Sequence, residues 1–209
     1  MESLIDDISK LQRSPVSLRM RNRMLEFAAK GREDDTSLFK ELCFCLLTAN
    51  YTSEGAIRIQ KAVGDGFLSL SEGRLARKLR SLGYRFPNTR ARYIAEARSH
   101  REVGKMLRSF PDEFSLRQHI ADNILGLGFK ESSHFLRNIG YTNLAIIDFH
   151  VIDVLVVHGI IEKPKSASLS RKKYLEIENL LGQICGRTGL SQGELDLYLW
   201  YMETGKILK

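Results

Sequence analysis

Leu125-Gly126-Leu127-Gly128-Phe129-Lys130 is the stretch on which the reading of this chain turns. Two glycines flank one apolar residue, a spacing that suits a tight hairpin where a side chain would obstruct the turn. Before it, Leu116 to Leu125 has helical character. After it, Lys130 to Ile139 sets Phe135, Leu136 and Ile139 along one side. The unit is helix, hairpin, helix. A glycine hairpin that opens a helix presents bare backbone N–H groups, the physical requirement for gripping a phosphate.

Lys130 falls in the first turn of the second helix, where the positive end of the macrodipole disfavours a cation. Residues that break a local rule concentrate at functional sites. Asp148 follows eighteen residues later, after the apolar run Leu144-Ala145-Ile146-Ile147 and before another helical pattern. That is a natural N-cap position. Alone, Lys130 reads as a solvated lysine and Asp148 as a cap. Together with the hairpin they become candidates for chemistry.

Gly-apolar-Gly-x-Lys with Asp148 downstream resembles the helix-hairpin-helix DNA glycosylase/AP lyases of the endonuclease III fold. The run Lys130-Glu131-Ser132-Ser133-His134-Phe135-Leu136-Arg137-Asn138-Ile139-Gly140 and the tail Trp200 to Lys209 are similar to the archaeal-type 8-oxoguanine DNA glycosylases, type 2. The resemblance covers essentially the whole chain. It implies an all-α, two-lobed architecture: a six-helix bundle over 35–140 ending in the hairpin unit, and a lobe from the terminal helices, 1–34 and 141–209. It makes Lys130 the nucleophile and Asp148 the assisting carboxylate. The implied activity is excision of 8-oxoguanine through a lysine Schiff base, then strand cleavage by β-elimination. A glycosylase for another damaged base and a non-enzymatic DNA-binding module are the alternatives; the second has no use for Lys130 or Asp148.

Charge agrees with a polyanion partner. Lys and Arg number 32 against 25 Asp and Glu, a net +7. Between Arg74 and Arg108 eleven basic residues meet two acidic ones, and nine of the eleven are arginine, the side chain best suited to phosphate. The expected partner is double-stranded DNA containing 8-oxoguanine, met by a monomer. Cys43, Cys45 and Cys185 form no Cys-x-x-Cys and no four-cysteine set, so no iron–sulfur cluster is expected. His100, His119, His134, His150 and His158 show no metal-binding spacing, and neither metal nor other cofactor is expected. With no signal peptide and no apolar run long enough for a bilayer, the expected location is cytoplasmic, at the nucleoid.

Helical patterning runs through the chain, without alternating strands. It predicts helices over Ser3–Arg13, Pro15–Lys30, Thr36–Ala49, Ser53–Phe67, Ser71–Leu82, Asn88–Arg108, Ser115–Leu125, Lys130–Ile139, Asp148–His158, Ser170–Gly186 and Ser191–Glu203. Ser191 with Glu194 forms a capping box.

Four further places carry site candidates. Thr48-Ala49-Asn50-Tyr51 ends an apolar helix. Base flipping leaves a gap in the duplex, and similar glycosylases fill it from this loop, which makes Asn50 the candidate and a helix C-cap its plain alternative. Gly83 to Asn88 mixes Arg85 and Phe86, suited to phosphate neutralisation and to stacking on an unpaired base; Phe86 could equally staple onto the next helix. Trp200, the only tryptophan, is placed by the resemblance against the flipped base, with a core role as the alternative. Lys209 ends the sequence, and the resemblance gives a terminal lysine a part in recognising the oxidised base. A carboxylate there would accept from the N7–H that distinguishes 8-oxoguanine from guanine. With the hairpin residues Gly126, Leu127 and Gly128 as DNA contacts, these complete the expected site.

Overall fold

Side-chain caps and glycines punctuate the helices of the computed structural model, which describes residues 1–166 and 168–209. Asp34, Thr52, Asp112, Asp148, Ser170 and Ser191 each accept a hydrogen bond from a backbone N–H of the following first turn. Such caps satisfy amides that have no partner within the helix. The elements are α1 (Glu2–Gln12), α2 (Val16–Lys30), α3 (Asp35–Thr48), α4 (Ser53–Val63), α5 (Gly66–Ser69), α6 (Glu72–Ser81) and α7 (Pro87–Ala97). They continue with α8 (Val103–Arg108), α9 (Glu113–Asn123), α10 (Phe129–Asn138), α11 (Phe149–Val157), α12 (Arg171–Thr188) and α13 (Gln192–Thr204). No strand occurs among the described residues. None of the helices is long and apolar enough to cross a membrane.

Two predicted helices are broken. Ser53–Phe67 divides at Gly64, whose φ of 52° lies in the left-handed region, giving α4 and the short α5. Asn88–Arg108 divides into α7, a 3₁₀ turn over Arg98–His100, and α8. There the Arg98 guanidinium donates to the carbonyls of Phe67 at 2.8 Å and Leu70 at 2.6 Å, so a distant loop is bonded by the side chain at the break. Pro15 stands just before the first residue of α2 rather than inside it.

Three apolar clusters form the interior. The first surrounds α3, of which ten residues are buried, and runs from Leu38 to Leu144. The second joins Leu4, Ile5 and Ile8 of α1 to α11, α12 and α13. The third packs Met20 and Phe27 of α2 against Leu197, Tyr198 and Ile207.

A buried ion pair ties α9 to α12. Arg117 donates to both Glu178 oxygens, at 2.5 and 2.8 Å, and both side chains are almost wholly excluded from solvent. Glu178 Oε1 also accepts from the Ala145 N–H at 2.9 Å. The Phe129 ring lies 4.5 Å from the Arg117 guanidinium carbon. Removing one partner leaves the other charge buried and uncompensated, which costs about 3–5 kcal/mol. Glu178→Ala is therefore expected to lower unfolding free energy by that amount in denaturant titration. Arg117→Met with Glu178→Leu should recover most of the loss; if the double variant is as unstable as the single, the charges themselves hold the fold.

Candidate active site

Gly126 takes φ 91°, and a Cβ there would run into the Tyr93 ring, so the hairpin requires glycine at this position. Leu127 corrects one expectation. Its side chain is buried in the first cluster and its N–H donates to the Ile124 carbonyl at 3.1 Å, so it fixes the hairpin instead of offering a bare amide. The Gly128 N–H is not bare either: it donates to Glu131 Oε2 at 3.3 Å. A hairpin that opens an N-terminal helix end needs an acceptor, and here the chain supplies its own.

Lys130 is the second residue of α10, and its half-buried ammonium lies 3.6 Å from Glu131 Oε1. Asp148 caps α11, with Oδ1 accepting from the Val151 N–H at 3.0 Å. The segment leading to Asp148 is bonded on both sides. The Ala145 N–H goes to Glu178, the Tyr174 hydroxyl donates to the Ala145 carbonyl at 2.7 Å, and the Ile147 N–H donates to that hydroxyl at 3.3 Å. Buried Tyr174 is desolvated, which pushes its phenol pKa up, so it stays a neutral donor.

Lys130 and Asp148 both line a cavity of about 1330 Å³ that also reaches Trp200, Lys209, Asn50 and Arg85. Trp200 packs edge to face against His150, ring centroids 4.3 Å apart, and its buried indole N–H has no partner among the described residues. Asn50 is exposed at the cavity wall with φ 60°, the one non-glycine residue in the left-handed region among those described. Strain of that kind costs about 1–3 kcal/mol and clusters at functional sites. Phe86 does not line the cavity. It sits half-exposed just before α7 with the Arg85 guanidinium carbon 4.9 Å above its ring, which corrects its placement among the base-binding residues.

The basic run also divides. Arg90 is buried, donating to the Tyr84 hydroxyl at 3.1 Å and to the Ala49 carbonyl at 3.0 Å, so it braces the loop that carries Asn50. Arg98 is occupied as described above. The other nine basic residues are exposed.

Two cavity residues have no sequence signal. Asp196 of α13 is buried, 3.4 Å from Arg137 Nη1. Burial pushes its carboxyl up to about 6; Arg137 opposes this, the Asp148 charge adds to it, and Lys130 opposes it. His134 of α10 is buried edge-on to Phe44. Burial first, then the charges of Arg137, Lys130 and Lys209, hold its imidazole pKa well below the ordinary range, so it is neutral. Its ring nitrogens have no side-chain partner among the described residues and lie beside the Lys209 main chain. A neutral imidazole offers one donor and one acceptor to whatever enters.

An amine, a fixed carboxylate, an aromatic wall and neutral hydrogen-bonding groups thus surround one opening beside a glycine hairpin. That set suits covalent attack on an electrophilic carbon and recognition of a flat heterocycle.

Residues 20–190 match the family described as 8-oxoguanine DNA glycosylase. The 8-oxoguanine DNA glycosylase/AP lyase of Korarchaeum cryptofilum is 51% identical over 211 residues, covering 100% of this chain and 99% of that protein. The 8-oxoguanine glycosylase/lyase of Methanocaldococcus jannaschii, solved in complex with a 15mer DNA containing 8-oxoguanine, is 47% identical. It superposes with a TM-score of 0.96 over 99% of this chain and 100% of that one. The 8-oxoguanine DNA glycosylase of Thermotoga maritima gives a TM-score of 0.92 at 40% identity, covering 100% of this chain and 99% of that one. The match takes in the hairpin, Lys130 and Asp148, and the chain belongs to the 8-oxoguanine DNA glycosylase family of helix-hairpin-helix proteins.

Proposed function

We infer that this protein excises 8-oxoguanine from duplex DNA and then nicks the strand at the abasic site. The observation that carries the reading is the meeting of Lys130 and Asp148 on one cavity at the helix-hairpin-helix unit. The flipped nucleotide enters that cavity. The Lys130 amine bonds to C1′ as the bond from C1′ to the base breaks, and the base leaves with the electron pair. Asp148 stabilises the positive charge that develops on the sugar. The ring opens to a Schiff base, which acidifies the C2′ proton. Loss of that proton expels the 3′ phosphate, so the strand breaks on the 3′ side. No redox cofactor enters this balance. Trp200 supplies a stacking face, and Lys209 with neutral His134 meets the edge of the base, a reading supported by their places on the cavity wall.

We take residues 35–140 as one lobe and 1–34 with 141–209 as the other, a division supported by the separate apolar clusters, although Leu144 packs into the first. The duplex lies along the hairpin and the exposed arginines. A duplex bearing one 8-oxoguanine should be nicked 3′ to the lesion and should form a borohydride-stable adduct, whereas binding without cleavage would leave only a DNA-binding module. Affinity should fall steeply with salt. Arg85→Ala should lower the slope of log K against log salt by about one unit, and a slope equal to the parent's would remove Arg85 from the backbone contacts.

A further inference from the structure

Glu41 is a buried carboxylate in α3, a helix with ten buried residues, and the reaction above does not use it. It lies on α3 between Lys40 and Leu42 with 2% of its surface exposed. Its two oxygens are fully engaged. Oε1 accepts from Asn138 Nδ2 of α10 at 2.7 Å. Oε2 accepts from the Lys209 ammonium at 2.7 Å and from Gln60 Nε2 of α4 at 3.2 Å. The Gln60 amide is itself oriented, because Nε2 also donates to the Lys40 carbonyl at 2.9 Å, which leaves Oε1 to accept from Lys209 at 2.6 Å. The ammonium sits 4.2 Å from the centroid of the Phe44 ring. Carboxylate, amide oxygen and ring face therefore form a socket for one cation. A buried carboxylate costs several kcal/mol unless paired and hydrogen-bonded, and its cationic partner comes from the far end of the chain.

The rest of the tail is held more loosely. Lys206 pairs with Glu54 at 2.5 Å on the surface, and Ile207 packs in the third cluster. Leu208 and Lys209 then line the cavity. We propose that Glu41 and Gln60 are positioning residues for lesion recognition: by clamping the Lys209 ammonium they fix the tail as a wall of the base cavity. This rests on the reading that Lys209 faces the extruded base. The socket selects a single primary ammonium. Arginine would bring a planar fork that three acceptor directions around one nitrogen do not fit.

Two substrates separate positioning from simple stability. Excision from an 8-oxoguanine duplex needs the whole cavity wall, whereas cleavage of a preformed abasic site needs Lys130 and no base contact. Under single-turnover conditions Glu41→Gln and Gln60→Leu should each lose about tenfold or more in excision, the worth of one charge-assisted hydrogen bond. Both should cleave abasic DNA within about twofold of the parent. Adding Lys209→Met to Glu41→Gln removes the stranded cation and should restore the melting temperature without restoring excision. Parallel loss of both activities, unchanged excision in both single variants, or recovered excision in the double variant would each overturn the proposal. A parent that cleaves abasic DNA and does not prefer 8-oxoguanine would overturn the substrate reading instead, and shows itself before any variant is made.

Discussion

Lys130→Gln should abolish borohydride trapping on 8-oxoguanine DNA and reduce strand cleavage by at least about 10³-fold, well inside what deleting a covalent nucleophile costs elsewhere. An amide cannot form an imine, so no slow residual pathway through this position remains. The fold should not suffer. Lys130 is half-buried at the second position of α10, and removing a cation from a helix N-terminus relieves an unfavourable interaction of about 0.3–1 kcal/mol. An unchanged or slightly raised melting temperature beside lost trapping is the expected pair of results. Trapping at the parent level would move the nucleophile elsewhere.

Asp148→Asn should slow base excision by at least about 10²-fold while leaving DNA affinity and stability near the parent's, the loss expected when a carboxylate aimed at developing charge becomes neutral. The variant is informative because Asp148 has two jobs. Its Oδ1 caps α11 through the Val151 N–H, and asparagine caps about as well as aspartate. If capping were its only task, excision would persist. Asp148→Ala would blur the comparison by removing the cap, at a cost of about 1 kcal/mol. Near-normal turnover by Asp148→Asn would reject the catalytic role.

The parts of the site visible in the sequence were those whose signal is local. The glycine hairpin, the misplaced Lys130 and the cap at Asp148 each lie within a few residues of the feature that makes them readable, and Gly126 and Asp148 have the backbone roles expected. Helix existence was legible for the same reason. The breaks were not: the pattern over 88–108 stays helical, while the Arg98 bonds to Phe67 and Leu70 come from about thirty residues away. Glu41 and Asp196 escaped notice because an isolated charge among apolar residues of a helix reads as a solvated edge until its partner is known. For Glu41 that partner is 168 residues distant. Arg90 was misread for the opposite reason, since membership of a basic run says nothing about which members face inward.

The packing of α1 onto α12 has a consequence for synthesis. Gln12 Nε2 donates to the Thr188 carbonyl at 3.0 Å, and Leu4, Ile5 and Ile8 share a cluster whose other buried members all lie beyond residue 144. The first cluster, by contrast, draws on an unbroken stretch from Leu38 to Leu144 and is available to a nascent chain as it emerges. Ribosomes add about 5–20 residues per second, so the apolar face of α1 waits roughly 10–40 seconds for its partners to be made. During that interval it is a sticky amphipathic segment on an otherwise maturing chain, the kind of surface that holdase chaperones shield. A segment translated long before its partners is thus among the last to be buried.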